Sequence, residues 1–408
     1  MQLEYGRKVE TKRGNMRQKA KRTRFVFLAG LMFMAVAAMV GGPYSGASAQ
    51  SAARDVPQYE LDPSWPPKLP NNWVMGVPTW VAVDKRDHVW VLHRPRTAAP
   101  EQRANAAPAV MEFDPKGKFV QAWGGPGQGF DWPDTEHGIF IDGKDRVWIT
   151  GINPRAGADV GTRNDDMLLK FTKAGTFLQQ IGGRDVSAGN KDTKNPHQSA
   201  EVFVYAKTNE AFIADGYGNR RIWVIDADTG MHKRMWGAFG NAPIDVPPPP
   251  PPGAAGRAGG AAPQAAPPVT EGPGPDQYGI VHGAKVSNDG LVYVADRANR
   301  RIQVFSLEGK YLTQGFVNRA SSNNSCGTVA FSPDPQQEFI YCPDFNKGEI
   351  AIVNRKTLET VGAFGSRGSG PGQFQNLHSI AIDSKGNIYG PEVAPGRRLQ
   401  KFVLKSVK

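Results

Sequence analysis

The sequence predicts an all-β chain built as a closed ring of six four-stranded blades, a β-propeller. Three observations carry that prediction. One phrase, an alternating apolar run, a short polar turn and a second β-rich run, occurs six times. Each occurrence is followed by a third apolar strand, and the first five continue into a fourth. A strand-like segment near the start, YELDPSW (59–65), is available to complete the sixth unit, which runs out of chain after its third strand. Closure in this way removes the exposed strand edges that template aggregation.

In order, the units are TWVAVDKRDHVWVLHR (79–94), HGIFIDGKDRVWITG (137–151), EVFVYAKTNEAFIADG (201–216), HGAKVSNDGLVYVADR (282–297), GTVAFSPDPQQEFIYCPD (327–344) and HSIAIDSKGNIYGPE (378–392). Their third strands read AVMEFD, MLLKFT, RIWVID, RIQVFS, EIAIVN and RLQKFV. The expected propeller spans 57–408. Residues 241–276, rich in Pro, Gly and Ala, fall between the third and fourth units and belong to no blade. They hold too little apolar surface to fold, so a disordered or polyproline insertion acting as a spacer is expected there.

The first 49 residues have a separate logic. A basic stretch precedes the apolar run FVFLAGLMFMAVAAMV, and Ala47-Ser48-Ala49 offers a small-x-small cleavage site. That order is a secretory signal peptide, with Met1 or Met16 as its start, and the run falls short of the ~20 residues a spanning helix needs. The expected product is exported, periplasmic or secreted, with no stable membrane span after cleavage. Nine Lys/Arg against Glu4 and Glu10 put +7 of the net +11 in this segment, leaving +4 for the remainder. A charge of that size is not the footprint of a nucleic-acid binder. The two cysteines, Cys326 and Cys342, are expected to pair as a disulfide, and a monomer is the expected form.

The first strand of a propeller blade lines the central channel, so a residue just before it sits at one mouth. His137, His282 and His378 hold that place in the second, fourth and sixth units, with Thr79, Glu201 and Gly327 in the other three. Three neutral imidazoles on alternate blades suit zinc at ~2.0–2.1 Å and leave a fourth position open; copper, iron and nickel also accept imidazole. A single histidine there would as readily cap its strand. Three in phase, out of seven in the chain, favour a metal site. His88, His197 and His232 fall out of phase and are not assigned to it.

VADRANRRIQVFSLEGKYL (294–312) and IADGYGNRRIWVID (213–226) resemble NHL repeats, and Arg220, Arg221, Arg300 and Arg301 read as ordinary parts of that phrase. The ordered set of motifs is similar to the peptidyl-α-hydroxyglycine α-amidating lyase (peptidylamidoglycolate lyase) family, six-bladed NHL-type propellers with a three-histidine zinc site. VLHRPR resembles the segment with a catalytic arginine, Arg94, and EHGIFID the first zinc-histidine segment. ADGYGNRRI resembles the segment of the catalytic tyrosine, Tyr217. VHGAKV with VADRANRRIQVF corresponds to the second zinc histidine and a second arginine, Arg297, and LHSIAID to the third histidine.

The resemblance covers the chain from about Pro78 to Phe402. It implies zinc held by His137, His282 and His378, and a small-molecule or peptide substrate with a terminal carboxylate. Tyr217 would act as general base, with one arginine favouring its anion and the other holding the carboxylate. Three departures stand out. Ser379 replaces an acidic residue at the family's structural calcium (Ca2+) site, Gly218 replaces a cysteine beside the tyrosine, and Asn376 replaces a methionine. No hydroxylating monooxygenase segment accompanies the repeats, so the substrate is expected from elsewhere. Two other readings remain open from sequence: a non-catalytic exported propeller that binds protein or ligand, and a calcium-dependent propeller hydrolase.

Overall fold

Alternation along each repeat becomes an antiparallel meander, numbered here as blades one to six. Blade one is Val77–Val83, Val89–Arg94, Val110–Phe113 and Phe119–Trp123; blade two is Glu136–Ile141, Arg146–Gly151, Asp165–Thr172 and Phe177–Arg184. Blade three is Glu201–Tyr205, Glu210–Asp215, Arg221–Asp226 and His232–Trp236; blade four is Val281–Val286, Val292–Asp296, Arg301–Phe305 and Tyr311–Phe316. Blade five runs Ala330–Phe331, Phe339–Asp344, Glu349–Asn354 and Thr360–Arg367, with Gln373–Phe374 added in parallel. Blade six is Ala381–Ile382, Ile388–Glu392 and Arg398–Val407, and Pro57–Asp62 pairs antiparallel with the last of these.

These coordinates are a computed structural model that describes residues 56–154, 161–245, 271–321, 324–345 and 347–407. The expected signal peptide, 1–49, and residues 246–270 of the Pro-rich segment lie outside the described residues. The described flank of that segment is tied to blade four, where the Arg301 guanidinium donates to the carbonyls of Pro273 (3.2 Å) and Pro275 (2.8 Å). No helix among the described residues is long and apolar enough to cross a membrane.

The blades repeat their turn chemistry. The aspartate ending the first strand of blades one, two and six (Asp84, Asp142, Asp383) accepts two backbone N–H groups of the following turn. Its second oxygen accepts an aromatic donor from the next strand, Trp90 Nε1, Trp148 Nε1 or Tyr389 Oη. The turn and the largest buried ring of the blade are thereby fixed together. In blades three and four a second aspartate closes the loop at the opposite end. Asp215 holds Asn219 and Arg221, and Asp296 holds Asn299 and Arg301, each through Arg Nε at 2.8 Å. Both arginines are fully buried and both are paired, as a buried charge requires. Cys326 and Cys342 form the expected disulfide, with Cα atoms 4.9 Å apart.

First strands face the ring's centre. A cavity of about 190 Å3 is lined by Trp80, Ile139, Phe203, Lys285, Phe331 and Ile382, one or more residues from every blade. Asp142→Ala would strip two turn amides and the Trp148 indole of their acceptor. The expected loss, about 1–3 kcal/mol from leaving buried donors unpaired, is checked by denaturant unfolding.

Candidate metal centre

The histidines reach the axis because the first strands bulge where they begin. In blade four Val281 pairs with Asp296 and Gly283 with Ala295, leaving His282 as the extra residue. In blade two Glu136 pairs with Gly151 and Ile139 with Ile149, so His137 and Gly138 stand against Thr150 alone. A bulge re-aims the side chain it carries. In blade six His378 keeps the same place, its N–H on the Pro391 carbonyl and Leu377 bridged to Glu392. Blade three corrects one sequence assignment. Glu201 pairs with Ala214 as Gly283 pairs with Ala295, so Ala200, not Glu201, is the equivalent of the histidines.

That register matters because each histidine is held by the blade that follows it. His137 Nδ1 lies 2.9 Å from the Ala200 carbonyl, His282 Nδ1 2.5 Å from that of Gly327, and His378 Nδ1 2.7 Å from that of Thr79. A carbonyl can only accept, so each Nδ1 carries the proton and each Nε2 keeps its lone pair. The rings converge, with centroids 4.7–5.0 Å apart, and one nitrogen of each lies within 4.8 Å of the other two.

All three are buried. Burial, followed by the charges of His378, Arg94 and Arg297, holds His137 well below the usual imidazole range. Burial, then Arg297 and the other two histidines, does the same for His282. Both are neutral near pH 7, the form that binds a metal.

Tyr217 closes one side of the triad. Its hydroxyl stands 3.1 Å from His137 Nε2 and 3.2 Å from His282 Nε2, and Arg297 Nη1 donates to it at 3.1 Å. The Arg297 guanidinium also lies over the rings of Tyr217 and Phe345, at 5.3 and 5.5 Å. Arg94 is buried and donates from Nε to the carbonyl of Glu136 at 2.9 Å, which sets it beside the His137 backbone. The structure thus gathers the six residues singled out by sequence at one mouth of the channel.

One residue there was missed. The Trp80 ring lies 5.3, 5.5 and 5.6 Å from the rings of His137, His282 and His378, and it also borders the 190 Å3 cavity. It is the floor between the triad and the channel below. A tryptophan opening the first unit was a visible signal, but contact with three residues of other blades has no local signature. Ser379, one residue after the third histidine, is buried, and its hydroxyl finds no partner among the described residues.

A second cluster, Asp84, His88 and Glu112, has its acceptors already committed. His88 Nδ1 sits 2.6 Å from Glu112, Gln121 donates to the other Glu112 oxygen, and Asp84 takes two turn amides, the Trp90 indole and Lys173. It is structural. His232 accepts from the Trp223 indole, and the buried His93 bonds Gly76 N–H and the Pro108 carbonyl.

The fold is a six-bladed β-propeller with the histidines, Tyr217 and both arginines at one mouth. The NHL repeat family matches residues 280–305, the stretch that carries His282 and Arg297. The chain is 26% identical over 358 residues to human NHL repeat-containing protein 3, covering 85% of this chain and 84% of that protein. It is 24% identical over 381 residues to peptidyl-alpha-hydroxyglycine alpha-amidating lyase 1 of Drosophila melanogaster, covering 86% of this chain and 60% of that protein. It is also 24% identical over 269 residues to the peptidylglycine alpha-amidating monooxygenase of Rattus norvegicus, covering 22% of that protein. The chain is a six-bladed propeller with one stretch matching the NHL repeat, and it resembles NHL repeat-containing protein 3 and the amidating lyases.

Because His137 and His282 are depressed below an ordinary pKa of about 6.5, protonating them favours the unfolded chain. The metal-free protein should keep this contribution above about pH 6.5 and lose it progressively below. Thermal unfolding against pH checks this, and the acid slope should be shallower in His137→Ala/His282→Ala.

Proposed function

We propose that this protein is an exported zinc-dependent lyase that cleaves the C–N bond of a peptidyl-α-hydroxyglycine-like carbinolamide to an amide and glyoxylate. One observation carries the reading: three imidazoles whose Nδ1 atoms are spent on carbonyls turn their Nε2 atoms toward one another, with the Tyr217 hydroxyl against two of them. The donor set fits zinc, since His137, His282 and His378 supply three neutral nitrogens and leave a position open. Bound there, zinc would supply Lewis acidity toward an oxygen of the substrate. Calcium has no part in this reading, because Ser379 offers a hydroxyl where that ion favours carboxylate.

The chain's own groups account for the proton and the charge. Tyr217, acting as the phenolate that Arg297 on its oxygen favours, accepts the carbinol proton and becomes a neutral phenol. The O–H electron pair becomes the aldehyde C=O, the C–N bond breaks, and the proton on Tyr217 passes to the departing amide nitrogen. Atoms balance without water or a redox partner. Arg94, held beside His137, offers a second guanidinium for the substrate carboxylate. Trp80 keeps channel water from beneath the site. The disulfide suits the oxidising compartment that the N-terminal pattern implies. A non-catalytic binding scaffold is the competing reading, favoured by the match to NHL repeat-containing protein 3.

Elemental mass spectrometry of the purified chain should find about one zinc, lost in His282→Ala. A wild type that stays metal-free after zinc is added would overturn the reading. With α-hydroxyhippurate as substrate, Tyr217→Phe should lower kcat by about 10²–10⁴-fold while zinc is retained, the scale of general-base removal. Arg94→Ala should raise KM more than it lowers kcat, separating a carboxylate anchor from a group acting on the reacting atoms.

A further inference from the structure

The turn that carries Tyr217 is held by more than its own blade. Gly218 donates its N–H to the His197 carbonyl at 3.2 Å, and Tyr217 donates to the Gln198 carbonyl at 3.4 Å. The His197 ring then lies on Gly218 itself. A Cβ at 218 would stand 2.1 Å from its Cδ2 and 2.4 Å from its Cγ, so the ring occupies the space any larger residue would need. This contact explains the glycine that follows the tyrosine.

His197 is in turn fixed from blade two. Its Nδ1 donates to Asp166 Oδ1 at 2.6 Å, while the other Asp166 oxygen accepts Ser187 N–H at 3.1 Å. Asp166 is 1% exposed, so its charge has a partner only if the imidazole stays in place. Gln198 adds a second tie, donating to the Asn153 carbonyl (2.9 Å) and Asn164 Oδ1 (3.0 Å). The remaining charged groups near the ring are Asp215 and Arg221, and these are paired with each other. His197 lies outside the bulge register of the three converging histidines, so the metal reading leaves it without a role.

We propose that Asp166 and His197 form a positioning pair for Tyr217: blade two, acting through the imidazole packed on Gly218, sets where the Tyr217 hydroxyl stands between His137 and His282. The catalytic part of this inference rests on the lyase reading; the positional part does not. Against its burial, the bond to Asp166 holds His197 above the ordinary imidazole range.

The test uses the full chain with and without zinc, in His197→Ala, His197→Gln, Gly218→Ala and the double variant His197→Ala/Gly218→Ala. Fluorotyrosine labelling gives a fluorine NMR signal for Tyr217, assigned by its loss in Tyr217→Phe. His197→Ala and Gly218→Ala should each move that signal, keep the wild-type zinc content, and lower kcat about a hundredfold with little change in KM, the scale of a group misplaced by about 1 Å. His197→Gln, whose amide can still donate to Asp166, should recover most of both. The double variant should be no worse than His197→Ala alone, because both changes break one contact.

An unmoved Tyr217 signal with wild-type kcat in His197→Ala would overturn the proposal, as would additive losses in the double variant. If the wild type lacks turnover, the lyase reading fails, while the NMR shifts still decide the positional claim. Should His197→Ala not fold, His197→Gln and Gly218→Ala decide it by the same readouts.

Discussion

The site depends on a hydrogen bond made three times, from the Nδ1 of a histidine to a backbone carbonyl of the next blade. Each bond does two things. It fixes the tautomer, so that Nε2 is left with a free lone pair, and it aims the ring at the axis. The acceptors, Ala200, Gly327 and Thr79, stand at the same place in odd-numbered blades as the histidines do in even-numbered ones. The alternation is therefore reciprocal: one blade supplies the imidazole and the next supplies the oxygen. A small residue at the odd positions leaves room for the ring. The bond from His378 to Thr79 spans 299 residues, so the third imidazole is oriented only once the last blade meets the first.

Burying three imidazoles together has an electrostatic consequence. With Arg94 and Arg297 nearby, any further positive charge is disfavoured, and desolvation acts in the same direction. His137 and His282 are kept neutral, and the arginines, which cannot give up their charge, supply the positive field. Trp80 gives the mouth an apolar floor, where charge interactions are stronger than in water. Rigidity comes from the blades' other repeated device, the aspartate that gathers a loop, an asparagine and a buried arginine at Asp215 and Asp296. These loops carry Tyr217 and Arg297, so the NHL phrase is also what presents the groups facing the triad.

Much of this was legible in the chain. Period-two alternation interrupted by short polar turns fixes strands and their partners locally, so six units could be read without tertiary information. The phase of His137, His282 and His378 was legible for the same reason, since identical registers place identical positions at one mouth. The blade-three position was misread by one residue because a bulge changes the count of residues against the partner strand, and that is a property of the pairing.

By itself the sequence determined the strands and the phase of the three histidines, because these follow from local periodicity, and it offered the cysteine pair; Arg94, Tyr217 and Arg297 were implied by the resemblance to the amidating lyases. Only the tertiary structure decided which carbonyl holds each imidazole, that Trp80 floors the site, and that His197 sits where a side chain on Gly218 would have to go. The physical reason is distance along the chain. These contacts join residues from different blades, and closing the ring brings them together with no trace in either neighbourhood.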